Sequence, residues 1–159
     1  MMKSFFGALV CATVFAAGAA SAQDISGEVL QAHNALRAKH GVPALSWSGK
    51  LADTAQAWAN RCEFEHSSNG LGENLAMGTS GSYSAGQFVQ DWYNEISGYD
   101  FANGGFSGDT GHFTQVVWKS TTQVGCGIAQ CSGNDLLVCN YSPAGNMEGA
   151  FADNVPPPQ

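Results

Sequence analysis

Four cysteines between positions 62 and 139 constrain the fold of this 159-residue chain more than any other feature. They are Cys62, Cys126, Cys131 and Cys139. In an oxidising compartment an even number of cysteines predicts disulfides, and four residues allow three different pairings. A zinc cluster is the competing interpretation, but the sequence contains no C-x-x-C pair. We therefore expect two disulfides, whose partners the spacing alone does not decide.

The N-terminal segment indicates the compartment. It reads MMKSFFGALVCATVFAAGAASAQD, with Lys3 followed by an apolar run from Phe5 to Ala20 and by the small residues of an A-x-A cleavage pattern. We interpret residues 1–22 as a signal peptide, which also removes the fifth cysteine, Cys11. A retained membrane anchor is the weaker alternative, because the run is short for a span of about 20 residues. The mature protein is expected to be secreted and extracellular, with no integral membrane segment.

Size and charge narrow the class of protein further. Removal of the leader leaves 137 residues, which suffice for one domain with its own core and are too few for two. The formal net charge of −7 becomes −8 because Lys3 leaves with the signal peptide. Such an acidic chain is unsuited to nucleic acid or to an anionic membrane surface.

Three amphipathic helices are predicted in the first part of the mature chain. Apolar residues recur at helical spacing over residues 24–40, where the sequence GVP ends the pattern. Ser48 is a suitable N-cap for a second helix, whose apolar face would bring Cys62 into the core. Ser84 and Gln87 form the capping-box pattern of a third helix.

Loops and strands make up the remainder. Residues 63–82 and 98–111 are rich in Gly, and we expect long loops there, the first with a short helical turn around residues 73–77. Three apolar runs then predict strands joined by polar turns, at 113–119, 123–130 and 135–142. Helices followed by strands indicate an α+β layered domain, with helices on both faces of an antiparallel sheet.

The four histidines fall into two pairs. His33 and His40 lie on the apolar face of the first helix, where packed and hydrogen-bonded imidazoles are the common outcome. His66 and His112 lie at loop boundaries and are close in sequence to carboxylates, namely Glu63, Glu65, Glu73 and Asp109. Two imidazoles with one or two carboxylates suit Zn²⁺ or a similar divalent ion. Because no compact ligand motif such as H-E-x-x-H is present, this hypothesis rests on residue types alone.

Four motifs resemble those of the CAP superfamily, the cysteine-rich secretory, antigen and pathogenesis-related proteins. GHFTQVVWKST and LLVCNYSPAGNM are similar to its two signature motifs, and AHNALRAKHGVPAL and GENLA to two shorter ones. The similarity extends from Ile25 to Val155, and it is greatest to secreted fungal members, including the sterol-exporting branch of yeast. On this basis we assign a CAP domain to residues 23–153 and a Pro-rich tail to residues 154–159.

The resemblance implies a fold and a cleft. The fold is a three-layer α-β-α sandwich with a central antiparallel sheet, and the cleft holds two histidines and two acids. These positions fall on His66, His112, Glu73 and Glu95. The histidines would bind a divalent metal, Zn²⁺ by preference with Mg²⁺ or Ca²⁺ as alternatives. The acids would act either as a general base or as partners that orient a histidine ligand.

The resemblance also implies the disulfides Cys62–Cys131 and Cys126–Cys139. The second of these is consistent with a hairpin formed by the last two predicted strands. Within the strand at 135–142, Asn140-Tyr141-Ser142 is a formal glycosylation sequon, and we expect it to be buried.

The function implied by the resemblance is the binding and export of sterols or related small hydrophobic lipids, with fatty acids as a second ligand class. The glycine-rich loop that carries Tyr99, Phe101 and Phe106 corresponds to the aromatic loop implicated in sterol binding. Glycines would allow these side chains to open onto an apolar ligand. Alternatively, the aromatic side chains only pack the loop against the domain.

Two functions of other classes remain as alternatives. A metal-dependent hydrolase or protease could use a cleft metal to activate water, but the sequence shows no nucleophile or oxyanion motif. A secreted defence- or virulence-related signalling protein would instead recognise a host protein or receptor. We expect a binding protein and not an enzyme.

Overall fold

The computed structural model describes residues 25–159. The predicted signal peptide, residues 1–22, lies outside this range. Within it the elements are α1 Ser26–Lys39, β1 Ser46–Trp47, α2 Gly49–Ala59, β2 Gly72–Thr79, α3 Ala85–Asn94, a 3₁₀ turn Glu95–Gly98, α4 Gly111–Val117, β3 Gln123–Cys131, β4 Asn134–Ser142 and α5 Phe151–Asn154. None of the helices between residues 25 and 159 combines the length and apolar character that crossing a membrane requires.

The sheet lies between two layers of helices, in the strand order β1-β3-β4-β2. Strands β3 and β4 form an antiparallel hairpin, and β2 pairs antiparallel with the other side of β4. The two-residue strand β1, which the sequence did not predict, pairs parallel with β3. The expected three-layer α-β-α sandwich is therefore confirmed, with a sheet that is antiparallel except at one short edge.

The two faces of the sheet have separate cores, because side chains alternate along each strand. Leu75, Leu136 and Val138 pack under α2. The opposite face packs against α1, α3 and α4 through a larger cluster that includes Leu137, Cys139 and Tyr141. Helix α2 approaches its face closely, since a Cβ added at Gly125 would lie 2.2 Å from the backbone nitrogen of Ala52.

Both disulfides form with the partners that the resemblance implied. Cys126 and Cys139 lie directly opposite each other in the β3–β4 hairpin, and Cys62 bonds to Cys131 at the end of β3. The expectation that α2 carries Cys62 into the core is wrong. The helix ends at Ala59, and Cys62 lies exposed in the following turn with a left-handed φ of 56°.

The predicted strand at 113–119 is a helix instead. Residues Gly111–Val117 form α4, although Phe113, Val116 and Val117 favour strands. In its first turn, the N–H groups of His112 and Phe113 have no acceptor within the helix. They donate instead to the Glu95 carboxylate, at 3.0 and 3.1 Å. A carboxylate at this position satisfies free donors and stabilises the helix N-terminus. This long-range contact, together with burial of the apolar side chains, outweighs local strand propensity.

The expected helical turn around residues 73–77 is also wrong. Residues Gly72–Thr79 form β2, and all eight pair with β4, from Gly72 opposite Tyr141 to Thr79 opposite Asn134. The segment GENLAMGT has little intrinsic strand preference, so the pairing partner determines its conformation.

His33 in α1 and His40, which directly follows this helix, are packed, as expected. The Nδ1–H group of His33 donates to Val29 O at 2.9 Å, and Nε2 accepts from the Tyr141 hydroxyl at 2.9 Å. His40 bonds through Nδ1 to the carbonyl of Pro156 and through Nε2 to the Tyr93 hydroxyl. The C-terminal segment therefore packs back against the end of α1. Burial lowers the pKa of His33 to about 4.

We expect His33 to make the protein sensitive to acid. Its pKa falls from 6.5 in the unfolded chain to about 4 in the fold, so the folded state disfavours the protonated ring. This contribution to stability is complete above pH 6.5 and is lost as the pH falls towards about 4, by about 3 kcal/mol in total. Urea unfolding of the wild type and of His33→Gln across that range measures it. A parallel loss of stability in both proteins would show that another group is responsible.

Candidate functional site

The first histidine–acid pair lies beside β2, on the face covered by α2. His66 follows α2 in a segment that Trp58 holds by an indole N–H donated to Glu65 O at 2.8 Å. Its Nδ1 atom lies 2.9 Å from Oε1 of Glu73. The imidazole is 63% exposed, whereas the Glu73 side chain is 6% exposed. A buried acid on a strand therefore fixes a histidine that faces solvent.

Glu73 is surrounded by donors. Besides His66, its carboxylate accepts from the backbone N–H and hydroxyl of Ser67 and from Nδ2 of Asn140. Burial raises the pKa of Glu73, but these hydrogen bonds outweigh burial and leave the pKa below its ordinary value. The ionised carboxylate therefore fixes the orientation of His66, Ser67 and Asn140. Because the Ser67 hydroxyl donates to Glu73, no serine–histidine nucleophile pair forms here.

The second pair lies where the 3₁₀ turn meets α4. The Nδ1 atom of His112 lies 2.7 Å from Oε1 of Glu95. The ring stacks on Trp92 with centroids 6.1 Å apart and an interplanar angle of 20°. Nδ2 of Asn74 donates to the backbone carbonyl of His112 at 3.2 Å. Glu95 also caps the first turn of α4, so one acid fixes both the backbone and the imidazole of His112.

The two pairs share one arrangement. In each, Nδ1–H donates to a carboxylate, which leaves Nε2 with its lone pair, and within residues 25–159 neither Nε2 atom has a hydrogen-bond partner. Metal-binding histidines in proteins are oriented by carboxylates in this way. Of the two roles open to Glu73 and Glu95, this geometry favours orientation of a histidine over general base catalysis.

Both pairs lie beside strand β2. Glu73 and Asn74 are neighbours on it, so their side chains leave opposite faces, the first towards His66 and the second towards His112. A cavity of about 240 Å³ includes His66, Glu73, Gln115 and Asn146 in its lining. In the part of the chain that the structure describes, no three His, Cys, Asp or Glu side chains form a metal cluster.

The aromatic loop combines anchored and exposed rings. Tyr99 and Phe101 pack edge-to-face on each other and on Phe113, with ring centroids 4.9 to 6.2 Å apart. Phe106 is 60% exposed, and its ring lies against Gly111, where an added Cβ would sit 2.9 Å from Cε2. Two rings therefore attach the loop to the domain, and the third projects beside the start of α4.

Three asparagines support the site, a role that was not predicted for them from the sequence. Asn74 contacts His112, Asn140 contacts Glu73, and Asn146 bonds to Thr114 and to Gly111 O of α4. All three lie in the quoted motifs GENLA and LLVCNYSPAGNM, and a polar residue within an apolar strand is the signal that could have found the first two. The sequon residue Asn140 is fully buried, as expected.

The comparisons with known proteins agree with this architecture. Residues 30–141 match the profile of CAP, the Cysteine-rich secretory protein family. The chain belongs to the CAP family. It is 48% identical over 147 residues to Repressed by EFG1 protein 1 of Candida albicans and 47% identical over 143 residues to Protein PRY2 of Saccharomyces cerevisiae. These alignments cover 82% and 84% of this chain but 53% and 42% of the relatives, so the chain spans about half of their length.

A human relative matches along its whole length. Golgi-associated plant pathogenesis-related protein 1 is 40% identical over 154 residues, which cover 89% of this chain and 99% of that protein. Among solved structures, NaASP2 with Zn²⁺ superposes with a TM-score of 0.70 at 25% identity, over 84% of this chain and 87% of that one. BmVAL-1 gives a TM-score of 0.68 at 28% identity, over 82% of each chain. This chain is thus a CAP protein of the pathogenesis-related type.

Proposed function

We propose that this CAP protein is secreted and binds and exports sterols or related small hydrophobic lipids, through the loop that carries Phe106. The observation that supports this most is the 60% exposure of Phe106 on a loop whose other aromatic rings are anchored. A ring that projects from an anchored loop loses little backbone freedom when it covers an apolar ligand. Met147, 58% exposed, follows Asn146 and adds a second apolar side chain near this position.

The choice of ligand class rests on two further points. CAP-family proteins bind lipids, and the resemblance of this chain to the secreted fungal members favours sterols over fatty acids. A sterol is a rigid apolar ring system, which suits contact with an aromatic face. Fatty acids remain the second ligand class.

Secretion is supported by the chemistry of the fold. Two disulfides in a small domain are typical of proteins that fold outside the cytosol. A relative from Candida albicans, 37% identical over 173 residues, is named Secreted protein RBT4. Together with the signal peptide predicted at residues 1–22, these observations support our proposal that the mature protein is extracellular.

The two histidines would supply two of the ligands that a divalent metal needs. The free Nε2 atoms of His66 and His112 are the donors that Zn²⁺ prefers, and each imidazole is already oriented by an acid. With no third protein ligand among residues 25–159, water would complete the coordination and the ion would be held weakly. Such an ion would supply positive charge to the cleft. CAP-family members are not in general classical enzymes, and we propose no reaction for this one.

Replacement of Phe106 by serine tests the lipid proposal. Loss of the ring removes apolar contact with the ligand, and we expect sterol affinity to fall about tenfold to a hundredfold. Phe64→Ser is the matched control, because Phe64 is also an exposed phenylalanine, at 58%, in a different segment. Titration of a fluorescent sterol into each folded variant measures the difference. Equal affinities for wild type, Phe106→Ser and Phe64→Ser would refute the role of Phe106.

A further inference from the structure

Two Asn-Gly pairs occur in exposed loops, and their surroundings differ. They are Asn69–Gly70 and Asn103–Gly104. An asparagine followed by glycine is chemically labile, because the next backbone nitrogen can attack the side-chain amide carbon and glycine has no Cβ to hinder the approach. Whether such a pair reacts depends on how firmly the fold holds the attacking nitrogen and the side-chain amide.

At the first pair the groups that react are available. Asn69 is exposed, and its Oδ1 atom accepts from the backbone N–H of Leu71 at 2.9 Å. This bond holds the Asn69 side chain alongside the backbone at Gly70. It also polarises the side-chain carbonyl of Asn69. Gly70 has a φ of 81°, and an ideal Cβ built on it would meet no atom within 4 Å. Within residues 25–159 the Gly70 N–H has no acceptor.

At the second pair both groups are held. The Gly104 N–H donates to Asp100 O at 2.7 Å, and Nδ2 of Asn103 donates to the Asp100 carboxylate. Attack at Asn103 therefore requires two hydrogen bonds to break first. Asn103 and Asn69 are both exposed, so solvent exposure does not distinguish the two pairs.

The geometry points to Asn69 as a site of spontaneous deamidation. After loss of its proton, the Gly70 nitrogen forms a bond to Cγ of Asn69, and ammonia leaves with the proton to give a cyclic imide. Water then opens the imide at either carbonyl and yields aspartate or isoaspartate. The net reaction consumes one water, releases one ammonia and changes no oxidation state.

The product would alter the cavity that His66 and Glu73 line, because Asn69 lines the same cavity. Deamidation places a negative charge and a carboxylate oxygen there. This consequence rests on the proposed metal site. A negative charge in the same cavity as a divalent cation bound to His66 should tighten the binding of that cation by roughly three- to tenfold in water at physiological salt.

Ageing of the folded protein at mildly alkaline pH tests the modification itself. Peptide mapping by mass spectrometry should show conversion at Asn69 that is about tenfold faster than at Asn103, given two hydrogen bonds to break at the latter. Asn69→Gln should abolish the signal at position 69, because the longer side chain forms the imide poorly. Equal rates at the two asparagines, or faster conversion at Asn103, would overturn the assignment.

Zn²⁺ titration of an Asn69→Asp variant tests the consequence. The control is Ser132→Asp, which adds the same charge in the β3–β4 turn at the other end of the sheet, at a left-handed position that Asp tolerates. We expect tighter Zn²⁺ binding for Asn69→Asp and none of that gain for Ser132→Asp. Equal effects of the two charges would overturn the consequence. Failure of the wild type to bind Zn²⁺ would refute the metal proposal and with it the consequence, while the mapped conversion at Asn69 decides the modification independently.

Discussion

Replacement of Arg37 by methionine should lower the free energy of unfolding by about 3–5 kcal/mol. The side chain is fully buried in α1, and none of the ion pairs found among residues 25–159 involves it. Its guanidinium donates at 2.8 to 3.1 Å to four backbone carbonyls, those of Pro43, Val116, Trp118 and Thr121. Methionine fills a similar volume but removes these donors. Although Trp118 O keeps the Thr121 N–H at 3.1 Å, the cost of the carbonyls left unpaired exceeds what is regained by removing a buried cation.

The hydrogen bonds of Arg37 connect α1 to the segment that leads from α4 to β3. Burial lowers the pKa of Arg37 to about 10, so the group remains charged at neutral pH. Urea unfolding of Arg37→Met and of Arg61→Met measures the effect. Arg61 is 55% exposed and stacks on Trp58, so its replacement should cost less than about 1 kcal/mol. Similar losses in the two variants would contradict the role of the carbonyl contacts.

The double replacement His66→Ala with His112→Ala should abolish measurable Zn²⁺ uptake, because it removes both imidazole donors. Glu73→Gln and Glu95→Gln should each weaken binding by about tenfold to a hundredfold, since an amide orients the neighbouring ring less well than a carboxylate. Calorimetric titration of metal-free protein measures these affinities. His40→Gln is the control, because His40 bonds to Pro156 and Tyr93 and takes no part in the pairs.

Two outcomes would contradict this interpretation. Unchanged Zn²⁺ uptake in the double variant would place the metal elsewhere. Full affinity in both acid variants, with both proteins folded, would show that the carboxylates do not orient the histidines.

Features set by local chemistry could be predicted from the sequence. Ser48 caps α2, and Ser84 with Gln87 forms the expected capping box at α3. Each of these depends on residues within one turn, which the sequence displays side by side.

Features set by distant contacts could not be predicted from the sequence. Strand β2 exists because β4 lies beside it, and α4 begins where Glu95 meets the backbone of His112 and Phe113. In both cases local propensity favoured another conformation. The partner that decides the outcome is separated from the segment by many residues.

The candidate site was likewise predictable in its residues but not in its contacts. Residue types and motifs identify His66, His112 and the two acids, and the structure adds which acid holds which ring. It also distinguishes the rings of the aromatic loop: Tyr99 and Phe101 pack on Phe113, with Phe101 still 37% exposed, whereas Phe106 is 60% exposed. These distinctions depend on side-chain placement across elements, which spacing does not encode.

Direct titration of the purified mature protein with a labelled sterol tests the central claim. A fatty acid serves as the parallel ligand, and unlabelled sterol serves as the competitor. We predict saturable sterol binding at micromolar or lower concentration that the competitor displaces. Absence of saturable binding by either ligand, with the protein folded and both disulfides intact, would contradict the proposal that this CAP protein captures lipids.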